Sequence, residues 1–329
     1  MAELKARLET EVDRVMGDLL PRDHKFALLD FPDHDNIGDS AIYVGEVDYL
    51  AKHNLVPAFV SKKDNVDWAT MERTIGGGPI LLHGGGNVGD IWPDFQAERE
   101  RVLNRYPNRR IIQMPQSLHF ASGQAADRFA RVIDRHGAFT LLVRDQPSFD
   151  FATRKFSCDV RLCPDIAFAM RSIHRRPPTY DVLLHLRDDK EAATTYDTAA
   201  YEASGRMVRT DWQREQAGSL YQQARRSAMR RGLLSLTFEK TKLRGMLLDK
   251  LARIRLDRGI DLLSMGRVVI TDRLHGHILC CLLDIPHVAL DNNYGKISNF
   301  SAAWGTAGPR ARMASSLADA IAIVESGEL

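Results

Sequence analysis

Along the first half of the chain, short apolar runs alternate with longer stretches in which apolar residues recur at helical spacing. The runs at 25–31 (KFALLDF), 55–60 (LVPAFV), 80–83 (ILLH), 110–113 (RIIQ), 140–143 (TLLV) and 160–163 (VRLC) read as strands of a sheet covered on both faces. Between them, 94–106 and 124–136 are rich in helix formers and are followed by Pro107 and Gly137. An amphipathic helix opens the chain. This alternation predicts a parallel sheet flanked by helices, a Rossmann-like unit. The segment 173–179 (IHRRPPT) fits neither a helix nor a central strand and marks a linker. A smaller set follows at 181–186 (DVLLHL), 206–210 (RMVRT), 268–271 (VVIT) and 286–290 (PHVAL), closed by a helix from Ser315. The expected fold class is α/β, with two Rossmann-like domains, 1–173 and 174–329, facing each other across a cleft.

Composition narrows the possible partners. At 329 residues the chain is long enough for two domains, and Lys+Arg 45 against Asp+Glu 43 gives no global basic field, so no nucleic-acid partner is expected. The first twenty residues mix acids and bases and lack the apolar core of a signal peptide. No apolar run approaches the roughly 20 residues of a spanning helix, and a cytoplasmic location is expected. Cys158, Cys163, Cys280 and Cys281 show no CxxC spacing and read as reduced, buried thiols. One region departs from neutrality: 205–258 holds fourteen Lys or Arg against five Asp or Glu. It reads either as a solvated helical face or as a basic amphipathic surface resting on an anionic membrane at the inner face of the cell. The stripe Leu243, Leu247, Leu251 and Ile254 fits core burial equally well.

In open parallel sheets ligands bind beyond the carboxyl ends of the strands, so the loops after each run carry the candidate chemistry. After the first comes DHDNIGDSAI, 33–42, where Asp39 or Ser40 can cap a helix, or Asn36, Gly38 and Asp39 can form a sugar- or phosphate-binding turn. After the third comes HGGGNVGD, 83–90, whose glycines let backbone N–H groups approach an oxygen-rich ligand. It matches GxGxxG, yet the following strand offers no acid for a ribose, and without a GxSxG elbow it is no hydrolase oxyanion loop. Gln116 and Ser117 in MPQS add neutral polar groups, and Arg144 at a strand end can grip a carboxylate or phosphate or simply pair with Asp145. In RVVITDRLHGHILCCLL, 267–283, Asp272 can cap a helix that carries Arg273 and His275 at its N-terminus, a setting that favours an anion. His275 and His277 are two apart and do not share a helical face, so no metal site is expected. Asn293, Lys296 and Ser298 follow the next strand and extend the same anion site.

NIGDSAI at 36–42, HGGGNVGDIW at 83–92, MPQS at 114–117, TDRLHGHI at 271–278 and DNNYGKISNF at 291–300 together resemble the polysaccharide pyruvyltransferase family. The resemblance runs from about residue 25 to 300 and is weakest over 196–262. It implies a fold similar to the GT-B glycosyltransferases and transfer of pyruvate from phosphoenolpyruvate onto two hydroxyls of a sugar, as a ketal, in an exopolysaccharide or its lipid-linked precursor. By that likeness Arg273 and His275 hold and protonate the donor. Arg144, Asn293, Lys296 and Ser298 complete the donor side, Asn36, Gly38, Gly86, Asn87 and Gln116 suit the acceptor, and Asp39 is the candidate base. Phosphoenolpyruvate serves as co-substrate, and no other cofactor is implied. Two other readings remain open: a GT-B glycosyltransferase with a nucleotide-sugar donor, and a noncatalytic sugar-phosphate-binding protein.

Overall fold

A computed structural model of the chain describes residues 2–188, 194–203, 205–212, 219–232, 240–291, 294–327 and 329. The strands form two sheets. The first contains β1 (Ala27–Phe31), β2 (Phe59–Lys62), β3 (Ile80–Leu82), β4 (Gly85–Gly89), β5 (Ile111–His119), β6 (Phe139–Val143) and β7 (Asp159–Leu162). Its order is β2-β1-β3-β5-β6-β7, with β4 paired to the second half of β5. The second contains β8 (Tyr180–His185), β9 (Met207–Thr210), β10 (Gly266–Thr271), β11 (His287–Leu290) and β12 (Ala311–Ala314), in the order β12-β11-β10-β8-β9. All ten ladders between these strands are parallel, as the continuous apolar runs predict.

The helices are α1 (Ala2–Met16), α2 (Ile37–Lys52), α3 (Trp68–Ile75), α4 (Pro93–Arg105), α5 (Gly123–Asp134) and α6 (Gln146–Lys155) around the first sheet. A 3-10 turn, Ile166–Ala169, follows β7. Then come α7 (Ala199–Glu202), α8 (Ser219–Gly232), α9 (Lys240–Ser264), α10 (Leu274–Leu283), α11 (Lys296–Trp304) and α12 (Leu317–Ser326). Among the described residues no helix is long and apolar enough to cross a membrane.

Three differences from the expected pattern have clear causes. The second strand starts at Phe59 rather than 55, and Val56, beside Pro57, is 77% exposed. The fourth and twelfth strands were not expected, since GGNVG and ARMA carry no apolar run to reveal them. The fifth strand runs on through Pro115 to His119, so MPQS is strand and not loop.

The core explains why α2 is buried along most of its length. One apolar cluster runs between the sheets and joins Leu28, Ile42 and Leu142 to Leu251, Val269 and Leu279. Two smaller clusters cover the outer face of each sheet. Helix α2 lies in the middle and crosses α9 closely, because a Cβ on Gly259 would sit 2.4 Å from Ile37 Cγ2. The apolar stripe of α9 therefore points inward: Leu251 is 1% and Ile254 8% exposed, which removes both from any membrane surface. Its arginines also reach the first half. Arg244 donates to Asn65 O (2.9 Å), Arg255 to Pro32 O (2.9 Å), and Arg253 to Asp48 (2.8 Å).

Asp48, on α2, is 4% exposed, and besides Arg253 it accepts the Arg171 N–H (2.9 Å) at the chain's passage to the second sheet. Removing Asp48 takes the acceptor from the Arg171 N–H and leaves Arg253 with Asp249 alone. Asp48→Ala is expected to lower stability by about 1–2 kcal/mol, read as a drop in the urea midpoint.

Candidate active site

The carboxyl ends of strands from both sheets open on one cleft of about 580 Å³. The first sheet contributes His34, Asp35, Asn36 and Asp39 after β1, Gly86 and Asn87 in β4, Trp92 and Phe95 just beyond it, and Arg144 after β6. The second contributes Arg187 and Asp188 after β8, Asp211 and Trp212 after β9, Arg273, Leu274 and His275 after β10, and Lys296 at the start of α11.

A buried carboxylate lies beneath this cleft. Asp165, 1% exposed, follows β7 and accepts the Ala167 N–H through Oδ1 (2.9 Å). Its Oδ2 faces two nitrogen-bearing side chains, Arg144 Nη1 at 2.6 Å and His275 Nε2 at 3.3 Å, the latter in ion-pair range without hydrogen-bond alignment. Burial opposes ionisation, but the charge and contact of His275 and the Arg144 guanidinium hold the carboxyl well below its usual range. Arg144 is fixed further by Ser117 Oγ (3.0 Å), so its partner is Asp165 and not the adjacent Asp145, which caps α6. Sequence reasoning passed over Asp165. The rule that found Arg144, a charged residue just past a strand, applies to it equally.

His275 is the second residue of α10, and its ring lies against Gly38 at the start of α2. A Cβ on Gly38 would fall 2.7 Å from both Cγ and Nδ1. The missing side chain lets the two sheets' contributions meet, with Nδ1 on the Gly38 side and Nε2 turned to Asp165. Asn36 caps α2 by accepting the Gly38 N–H (3.1 Å), and its Nδ2 donates to Asp39 Oδ2 (2.8 Å). The cap is thus Asn36, and neither Asp39 nor Ser40. Asp39 also lies 3.5 Å from His34 Nε2.

Arg273 occupies the N-cap position of α10 without capping it through its side chain. Asp272 does not cap it either. Its carboxyl accepts the Arg187 N–H (2.9 Å), and burial raises it to about 6. The Arg273 fork engages both oxygens of Asp211, with Nη2 at 2.5 Å from Oδ2. Burial acts against the Asp211 charge, yet Arg273 keeps the carboxyl below its usual value. Lys296 borders the same space, 3.6 Å from a Cβ built on Gly86. Arg187 and Asp211 were not found from sequence, because a single charge after a strand carries no pattern of its own, and the strand before Asp211 is only half-buried.

The glycine-rich segment departs from expectation. Three of its N–H groups are taken up internally: Gly84 by Glu46 (2.8 Å), Asn87 by Gln116 (3.0 Å) and Gly89 by Gln96 (3.2 Å). Gln116 is fully buried and braces β4 instead of lining the cleft. Ser298 is exposed, donates to Gly295 O (3.1 Å), and also lies off the cleft lining. Asn293 lies outside the described residues.

His277 pairs elsewhere. His277, Cys281 and His287 place their donor atoms within 4.8 Å of one another, but a hydrogen-bond chain occupies them. The Ile285 carbonyl takes the His287 Nδ1–H (2.9 Å), leaving Nε2 to accept from His277 Nδ1–H (2.8 Å), while His277 Nε2 faces Thr306 Oγ1 (2.8 Å). As arranged, their lone pairs do not converge on a metal position.

Two measurements probe this geometry. Gly38→Ala must push the His275 ring aside and is expected to cost about 1–3 kcal/mol in urea unfolding, with displaced His275 ring resonances. Burial lowers His287 to about 4, against an ordinary value near 6.5, so between these pH values the unfolded chain binds the extra proton. The contribution of His287 to stability is therefore full above about pH 6.5 and declines as pH falls toward about 4, and His287→Gln should remove that part of the slope in thermal melts.

Residues 36–294 match the family model for polysaccharide pyruvyl transferase. The chain is 32% identical over 302 residues to pyruvyl transferase 1 of Schizosaccharomyces pombe, covering 85% of this chain and 69% of that protein. It is 28% identical to a Bacillus subtilis protein provisionally named pyruvyl transferase EpsO, covering 90% of each. The crystal structure of an uncharacterised Klebsiella pneumoniae protein matches 96% of this chain and 100% of that one, with TM-score 0.60 at 18% identity, a likeness of fold. The chain belongs to the polysaccharide pyruvyl transferase family and is a transferase.

Proposed function

We propose that the protein transfers pyruvate from phosphoenolpyruvate onto two hydroxyls of a polysaccharide sugar or its precursor, in a GT-B-like cleft between the two sheets. The observation that carries this reading is the buried Arg144–Asp165–His275 cluster, with Arg273 and Lys296 beside it. Phosphoenolpyruvate brings a carboxylate and a phosphate, and guanidinium and ammonium groups on the cleft wall suit both.

His275 acts as general acid. With Nε2 turned to Asp165, Nδ1 is the nitrogen that hands a proton to the methylene carbon, and the ionised Asp165 balances the charge on the ring. Protonation makes the methyl group and leaves an oxocarbenium-like centre, which the first sugar hydroxyl attacks as Asp39 takes its proton. Asp39 is suited to this by its place, one residue from the Gly38 contact with His275, and by the grip of Asn36. The C–O bond to phosphate then breaks, Arg144, Arg273 and Lys296 neutralise the departing anion, and the second hydroxyl closes the ketal. Of the two hydroxyl protons, one replaces the proton given to carbon and the other leaves with phosphate.

Calorimetry with phosphoenolpyruvate and with a panel of nucleotide-sugars tests the donor. Binding of phosphoenolpyruvate that weakens in Arg273→Ala is the expected result, and binding of a nucleotide-sugar alone would sink the assignment. His275→Gln is expected to lower turnover by about 10²–10³-fold, read as phosphate release, with phosphoenolpyruvate affinity changed only a few-fold.

A further inference from the structure

Behind the glycine strand lies a buried polar network that fixes which atom of Asn87 faces the cleft. The assignment follows from the backbone outward. The Asn87 N–H can only donate, so the Gln116 atom that meets it at 3.0 Å is Oε1, and Gln116 Nε2 is then the donor to His83 O and to Asn87 Oδ1, each at 3.1 Å. Arg99, 3% exposed on α4, can also only donate. Its Nη2 reaches Asn87 Oδ1 at 2.6 Å and its Nε reaches Gln113 Oε1 at 2.6 Å. Burial lowers Arg99 to about 10, so it remains a cation at neutral pH and cannot become an acceptor. Two donors thus claim the Asn87 carbonyl oxygen, and Nδ2 is the end left for the cleft that Asn87 lines.

The cleft that Asn87 lines also holds Arg144, Arg273 and Lys296, and a Cβ built on the neighbouring Gly86 would lie 3.1 Å from Arg144 Nη2 and 3.6 Å from Lys296 Nζ. We infer that Asn87 is a one-way hydrogen-bond donor to an acceptor-only oxygen of the anionic substrate, a carboxylate or phosphate oxygen, with Arg99 as its positioning residue. This moves Asn87 from the sugar side, where its neutral amide alone would put it, to the donor side. The inference rests on the phosphoenolpyruvate reading.

Asn87→Asp tests it with little change of shape. The new carboxylate still accepts from Arg99 and Gln116, so the melting temperature is expected to hold or rise, while the oxygen now facing the cleft repels an anion. Titration with phosphoenolpyruvate is expected to show at least about a tenfold loss of affinity, and parallel titrations with inorganic phosphate and pyruvate tell which group Asn87 meets. Arg99→Lys, which leaves the cleft lining untouched, is expected to weaken phosphoenolpyruvate by about threefold or more, and Asn87→Ala in that background to add little further loss. Asn87→Asp binding phosphoenolpyruvate within twofold of the unaltered protein would overturn the inference alone. Should that variant not fold, an Arg99→Lys protein with unchanged affinity overturns it instead. Absence of phosphoenolpyruvate binding by the unaltered protein would overturn the donor reading, and the inference with it.

Discussion

The site depends on one buried charge. Asp165, 1% exposed, loses almost all of its hydration, a cost of several kcal/mol for an ionised carboxylate. What offsets it comes from both sheets: Arg144 from the end of β6, His275 from the helix after β10, and the Ala167 amide from its own turn. The carboxylate can stay ionised only where these groups converge, so the relative placement of the sheets and the charge state of the cleft are linked. The apolar cluster around α2 and α9 supplies most of the cohesion between the sheets, and Asp165 fixes where their polar edges meet.

The same arrangement recurs around the cleft. Arg273 is held by Asp211, Asp39 by Asn36, and Asn87 by Arg99 and Gln116. Each of these three side chains is oriented by a buried or half-buried partner before any ligand arrives. A site built this way gains its effect from preorganised charge and loses little in reorganisation at the moment of reaction. Acids and cations are interleaved, so the cleft carries strong local fields without a large net charge. That is consistent with a chain whose overall balance is only +2.

Much of this was legible along the chain, and the remainder was hidden for physical reasons. Buried parallel strands announce themselves as apolar runs, and β1, β3, β6, β8 and β10 were readable because helices cover both faces of each sheet. β4 was not, because it is held by backbone pairing with β5, by Gln116 of β5 and by Gln96 of α4, none of which leaves a mark in GGNVG. Arg273 and His275 were legible as charges at a helix start. Asp211 matters through Arg273, 62 positions away, and Asp165 joins Arg144, 21 positions before it, to His275 of the second sheet, pairings that local spacing does not carry. Gln116 was misplaced for one reason: reading MPQS as a loop turned outward a side chain that the longer strand turns under β4.

The basic stretch 205–258 shows how far composition alone can carry an argument. Its excess of nine positive charges suggested an anionic surface, yet Arg244, Arg253 and Arg255 spend theirs on carbonyls and carboxylates of the first half. Those contacts run along the same α9 face whose Leu251 and Ile254 enter the core. Long arginine side chains here extend an apolar seam with polar ends, gripping Asp33 in the loop after β1 and Asp48 on α2. Because Asp33 and Asn36 belong to the same loop, the seam that α9 fastens is also the one that delivers Asn36 and Asp39 to the cleft. Three of the basic residues of this stretch are thus engaged in holding the first half against α9, and the apolar positions Leu251 and Ile254 belong to a helix packed into the core.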